Sequence, residues 1–168
     1  MRNFLSAFLL TAALGTTVMT ASCQDKPSPA AKATGKAAGA TVTIDYSQPA
    51  VKGRKVWGEL VPYGMVWRTG ANEATVFETD SDLKIEGASL PKGKYGLFTI
   101  PGENEWTIIF NKTWNQWGSF RYKQEEDVLR VKVKPSANAM TERLTFTIAG
   151  DKVNLAWEKV AVAFKVSK

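Results

Sequence analysis

The chain has 168 residues, 44% hydrophobic and 23% charged, with 22 Lys plus Arg against 16 acids and a formal charge of +6. It has no histidine and a single cysteine, Cys23. This composition excludes a wholly disordered chain, a collagen, a multi-span membrane protein, an intramolecular disulfide, a Ser-His-Asp triad and the usual Cys/His metal sites, so no metal and no cofactor is expected.

The first segment reads as an address. Arg2 is the only charge before Asp25, and Leu5, Phe8, Leu9, Leu10, Leu14 and Val18 make an apolar core before Thr20-Ala21-Ser22-Cys23. Small residues followed by cysteine form a lipobox-like cleavage site, with Thr20 in place of the usual larger aliphatic residue. Residues 1–22 are therefore expected to be a lipoprotein signal peptide and Cys23 the acylated mature N-terminus, lodging the protein in the membrane by its lipid. The competing reading is an uncleaved anchor helix, weakened by Thr11, Thr16, Thr17, Thr20 and Ser22. Cleavage would leave 21 cations against 16 acids, a mature charge of +5. Such a modest charge permits anionic partners without demanding them.

Residues 23–40 are predicted to be a flexible tether. Gln24 to Ala40, QDKPSPAAKATGKAAGA, contains two prolines, two glycines and no large apolar residue, too little to offset its ordering entropy. At ~3.3 Å per residue it would reach about 55 Å.

The domain is predicted over 41–168, which holds all six tryptophans, all four tyrosines and six of the eight phenylalanines. Its apolar residues alternate with a period of two: Val42, Ile44 and Tyr46; Leu83 and Ile85; Trp106, Ile108 and Phe110; Leu129, Val131 and Val133; Leu144, Phe146 and Ile148; Val153, Leu155 and Trp157. The parity then flips at Glu158-Lys159, before Val160, Val162, Phe164 and Val166, which requires a turn, a bulge or a crossing between sheets. Turns are expected at Leu90-Pro91-Lys92-Gly93, Pro101-Gly102-Glu103-Asn104 and Gly150-Asp151, and a single helical turn near Gly53 to Leu60. The fold class is all-β: one antiparallel β-sandwich of about ten strands with little helix. Trp106, Phe110, Phe146 and Trp157 are expected in its core.

The strings VKGRKVWGELVPYGMVWRTGANEATVF, LPKGKYGLFTIPGENEWTIIFN and NQWGSFRY, followed by DVLRVKV, resemble the domain of unknown function 2911 family (DUF2911) over roughly Tyr46 to Val166. The resemblance implies an exported single β domain of the kind found in Bacteroidota envelope lipoproteins. It implies no activity.

Three places carry candidate chemistry. The loop Trp67 to Glu73 offers Arg68 as a planar five-donor fork, Asn72 as donor and acceptor, and Glu73 as acceptor. Against a binding role stands a structural one, in which Gly70 supplies a positive φ, Asn72 makes an Asx-turn and Arg68 pairs with Glu73. The segment Asn111 to Gly118 places Trp114 and Trp117 among amides, Asn115 included, as a sugar-stacking platform would. Trp117 reads as core and Trp114 as the more exposed ring. The stripe Arg130, Lys132 and Lys134, with Arg121 and Lys123, reads mainly as a solvated sheet face.

The expected function is a lipid-anchored cell-envelope module, at the outer membrane, that binds a small polar ligand, a glycan or a protein. Nucleic acid is not an expected partner. Two alternatives remain: a histidine-independent hydrolase using carboxylates (Glu59, Glu73, Glu78, Asp127), and a purely structural module. The binding reading places the Arg68–Glu73 and Trp114–Trp117 loops around one groove.

Overall fold

The computed structural model describes residues 27–168. The signal peptide and Cys23 lie outside the described residues. Ten strands build two antiparallel sheets. The larger holds β1 (Ala30–Ala37), β2 (Ala40–Ser47), β3 (Val76–Thr79), β6 (Gly93–Ile100), β7 (Trp106–Asn111) and β8 (Asp127–Val133), in the order β1-β2-β3-β6-β7-β8. The smaller holds β4 (Leu83–Ile85), β5 (Ala88–Leu90), β9 (Pro135–Ala149) and β10 (Lys152–Ser167), in the order β5-β4-β10-β9. This is the expected all-β sandwich.

The alternation places the core. Val42, Ile44, Phe77, Leu97, Trp106 and Phe110 point inward from the larger sheet, and Leu144, Phe146, Trp157 and Phe164 from the smaller. At one end Trp57, Trp67, Trp106 and Trp157 form a cluster; Trp57 meets Trp106 edge-on at 4.9 Å, and Trp67 stacks on Trp157 at 5.9 Å. Tyr46 packs its ring edge-on against Phe146, and its hydroxyl accepts a hydrogen bond from the Phe146 amide at 3.2 Å, so one side chain ties the sheets together. The parity flip at Glu158 is a β-bulge: the β9–β10 register shifts on both sides of it, and Glu158 has φ +56°.

Two expectations need correction. The first is the boundary at residue 41. Ala30–Ala37, within the predicted tether, is an edge strand paired with β2 from Ala30↔Ser47 to Ala37↔Ala40. Its inward residues, Ala31, Ala33, Gly35 and Ala37, are small because β9 crosses closely over them. A Cβ on Gly35 would stand 2.9 Å from the Ile148 Cβ. The lack of large side chains, taken as a mark of disorder, is what this packing requires. The second is the helical turn at Gly53 to Leu60. That segment is a succession of turns, broken by positive φ at Gly53 and Gly58. The helix among the described residues is a 3-10 turn, Gln124–Glu126.

The strands define two ends. Ser28, Ser47, the Ala50 to Met65 turns and the β6–β7 hairpin sit at one, since Gln48 donates to the Pro29 carbonyl and Gly64 to that of Pro101. The β1–β2 and β9–β10 hairpins sit at the other, where the Ala38 amide reaches the Gly150 carbonyl.

Candidate functional site

The Trp67–Glu73 loop lies at the Ser28 end. It leaves the sheet beside β6, where Trp67 and Thr99 exchange backbone hydrogen bonds of 2.8 and 2.9 Å. The loop is held from within. The Trp67 indole donates to the Gly70 carbonyl at 3.1 Å, and the Thr75 hydroxyl to the Thr69 carbonyl at 2.9 Å. Thr69 is fully buried and bonds the Thr99 hydroxyl at 3.2 Å.

The conformation differs from the one expected. Positive φ falls on Thr69 (+57°) and Asn72 (+58°), not on Gly70. Gly70 is needed for space: a Cβ there would sit 2.9 Å from the Thr75 hydroxyl and 3.1 Å from the Ser47 carbonyl. A β-branched residue in the left-handed region costs roughly 1–3 kcal/mol, and such strain gathers at ligand clamps. Asn72 is turned toward β1 and β2, where its amide nitrogen donates to the Ser28 carbonyl (3.0 Å) and the Ser47 hydroxyl (3.3 Å).

This arrangement leaves Arg68 distinctive. Its Nε is buried and has no hydrogen-bond partner among the described residues. Burial pulls the guanidinium below its ordinary pKa, yet an arginine stays charged. Arg68 lines a groove of about 270 Å³ together with Arg54, Trp67, Asn72, Ser28 and Leu60. No carboxylate among the described residues lines it. Arg54 spends its Nε on the Val51 carbonyl and one Nη on that of Ala50, with donors to spare toward the groove. The groove is therefore lined by two cations.

The tryptophan loop meets the Arg68 loop through backbone. Glu73 pairs with Trp117, the Ala74 amide donates to the Gln116 carbonyl, and the Gly118 amide to that of Asn72. Neither Trp114 nor Trp117 lines the Arg68 groove. Trp114, 37% exposed, lies under the Lys94 ammonium at 4.4 Å. Trp117, expected in the core, is 56% exposed. Its backbone is committed to Glu73, and the turn at Gly118 (φ +62°) throws the indole outward. The buried member of this loop is Gln116, whose amide bonds the Thr113 carbonyl and the Arg121 amide. Asn115 is exposed and gives its carbonyl to Arg121.

The carboxylates are engaged elsewhere. Glu59 pairs with Lys55, and Glu78 with Lys94. Asp45 and Glu73 line a second groove, of about 200 Å³, but Asp45 is paired with Lys32 and Glu73 is itself engaged. Asp127 accepts from the Tyr122 hydroxyl (2.7 Å), the Arg130 Nε (2.6 Å) and the Asn111 amide (2.8 Å). Burial, then the bond to Asp127, pushes the Tyr122 phenol up to about 12. That network closes the outer face of the larger sheet, where Tyr122 packs on Phe98. It was hidden in the sequence because Arg130 reads as one of a row of surface cations. Lys132 on the same stripe pairs with Glu105. Among the described residues no group of three Asp, Glu, His or Cys is placed to hold a metal.

The family model described as protein of unknown function (DUF2911) matches residues 28–166. No curated protein and no solved structure matches the chain.

Proposed function

The chain belongs to the DUF2911 family, and we propose that it is a cell-envelope protein, held at the membrane by acylation of Cys23, whose Arg68 groove binds a small anionic ligand such as a carboxylate or a phosphate monoester. One observation carries this reading: the Arg68 Nε is buried without an acceptor, and Arg68 lines a groove that no acid among the described residues lines. A buried donor without an acceptor is costly. An anion would supply both the missing charge and the missing acceptor, in the bidentate geometry that a guanidinium favours. Arg54 would add a second cation. The Asn72 amide nitrogen is already committed, so its oxygen is the atom left for a ligand hydroxyl. At about 270 Å³ the groove suits a small molecule and not an oligosaccharide.

The test is a thermal-shift panel of acetate, a sugar acid, inorganic phosphate and glycerol phosphate, at constant ionic strength held with chloride. A ligand at 100 times its Kd adds about 2.7 kcal/mol, a rise of several degrees. At least one member should raise the Tm of the native protein and not that of Arg68→Gln. Equal rises in both proteins, or none in either, would overturn the proposal.

A further inference from the structure

A second surface at the same end of the sandwich has a different character. Phe120 is 86% exposed and Trp117 56%. Phe120 folds over Gly118, whose amide is bonded to Asn72, and Asn72 in turn holds Ser28. Segment 111–123, NKTWNQWGSFRYK, carries Lys112, Arg121 and Lys123 and no acid. Exposed aromatic rings flanked by cations are what an interfacial membrane contact uses: rings enter the headgroup layer and cations meet its negative charge.

Chain geometry gives this surface its occupant. Ser28 is fixed at the Asn72 end, and Cys23 precedes it by five residues, which span at most about 18 Å. An acyl chain on Cys23 therefore cannot be far from the end that carries Trp117 and Phe120. The β1–β2 hairpin lies seven residues of strand further off, about 23 Å. We propose that this end docks on an anionic lipid bilayer, with Trp117 and Phe120 in the headgroup layer and Arg121 and Lys123 against it. The proposal rests on the acylation of Cys23 but not on the Arg68 ligand, since neither ring lines that groove.

The test uses the acylated protein in vesicles containing phosphatidylglycerol. If Cys23 is acylated, Ser119→Cys gives the chain a single reactive thiol beside Phe120, and Lys152→Cys places one on the far hairpin. Each is labelled with an environment-sensitive fluorophore. The label at 119 should shift to the blue and be quenched by a lipid-borne nitroxide. The label at 152 should do neither. Adding Trp117→Ser and Phe120→Ser, both at exposed positions, should abolish the shift at 119. Docking is refuted by an unshifted label at 119, by equal shifts at both sites, or by a shift at 119 that depends on protein density in the membrane, which would mean contact between copies. Mass spectrometry separates the two readings: a second label on an unacylated Cys23 defeats the anchor, whereas one label with no shift defeats the docking surface alone.

Discussion

Replacing Gly35 by alanine puts a methyl group 2.9 Å from the Ile148 Cβ, 3.0 Å from its Cγ2 and 3.1 Å from its carbonyl oxygen. Comfortable carbon contacts begin near 3.5 Å, so one strand must move by about half an ångström. Neither moves easily, because Gly35 is paired with Val42 and Ile148 with Val153. Overpacking of this kind costs about 1–3 kcal/mol. Reduced entropy of the unfolded chain returns about 0.4–1 kcal/mol. Because the clash is with a backbone oxygen as well as a side chain, the overpacking cost falls in the upper part of that range, about 2–3 kcal/mol, and the net loss is roughly 1–2.6 kcal/mol, a fall in Tm of about 2–10 °C for a chain of this size. Thermal and urea unfolding, with an unchanged m-value, would measure it. The sign decides the matter. In a tether the same substitution would leave the Tm unchanged, so an unchanged or raised Tm refutes the packing of β1 against β9.

Other substitutions probe other parts of the account. Trp157→Ala removes a buried ring stacked on Trp67 and should cost about 3–5 kcal/mol in denaturant unfolding, with loss of near-ultraviolet dichroism. Trp114→Ala should cost no more than about 1–2 kcal/mol and leave anion binding intact, since the residue is 37% exposed, gives up a contact with Lys94 and does not line the Arg68 groove. The Tyr122 phenol, at about 12 in the folded state, lies above its unfolded value near 10. Its stabilising contribution is whole below pH 10 and is lost as the pH rises from there through 12; Tyr122→Phe should flatten that limb of an alkaline unfolding curve and remove a phenol that ionises near pH 12. Native protein extracted from membranes should carry acyl chains on Cys23 by mass spectrometry, and a free thiol there would remove the anchor.

β2, β4, β7, β8, β9 and β10 were legible because their inward residues recur with a period of two, and the Glu158 bulge was legible as a break in that period. β1 was not. Its inward residues are alanine and glycine, and hydropathy does not separate a small-residue strand packed under another from a loose linker. Arg68 and Asn72 stood out by residue type, but the Thr69 strain and the role of Gly70 depend on the tertiary contacts of Ser47, Thr75 and Thr99. The Trp114–Trp117 segment was read as one platform. The residue the chain buries there is Gln116, between the two rings. The orphan guanidinium is a statement about missing neighbours, which only an assembled fold can make.

The central claim is that Arg68 carries a buried Nε–H awaiting an acceptor. Nitrogen-15 correlation spectra of arginine side chains report each Nε–H directly, and the Arg68→Lys variant assigns the signal by its disappearance. In the protein without ligand the Arg68 Nε–H should show no hydrogen-bond coupling to a protein acceptor. Titration with the anion that raises the Tm should move it downfield and saturate at the same concentration. A resonance that stays in place while the ligand binds would contradict the claim, as would one already coupled to a protein acceptor before any ligand is added.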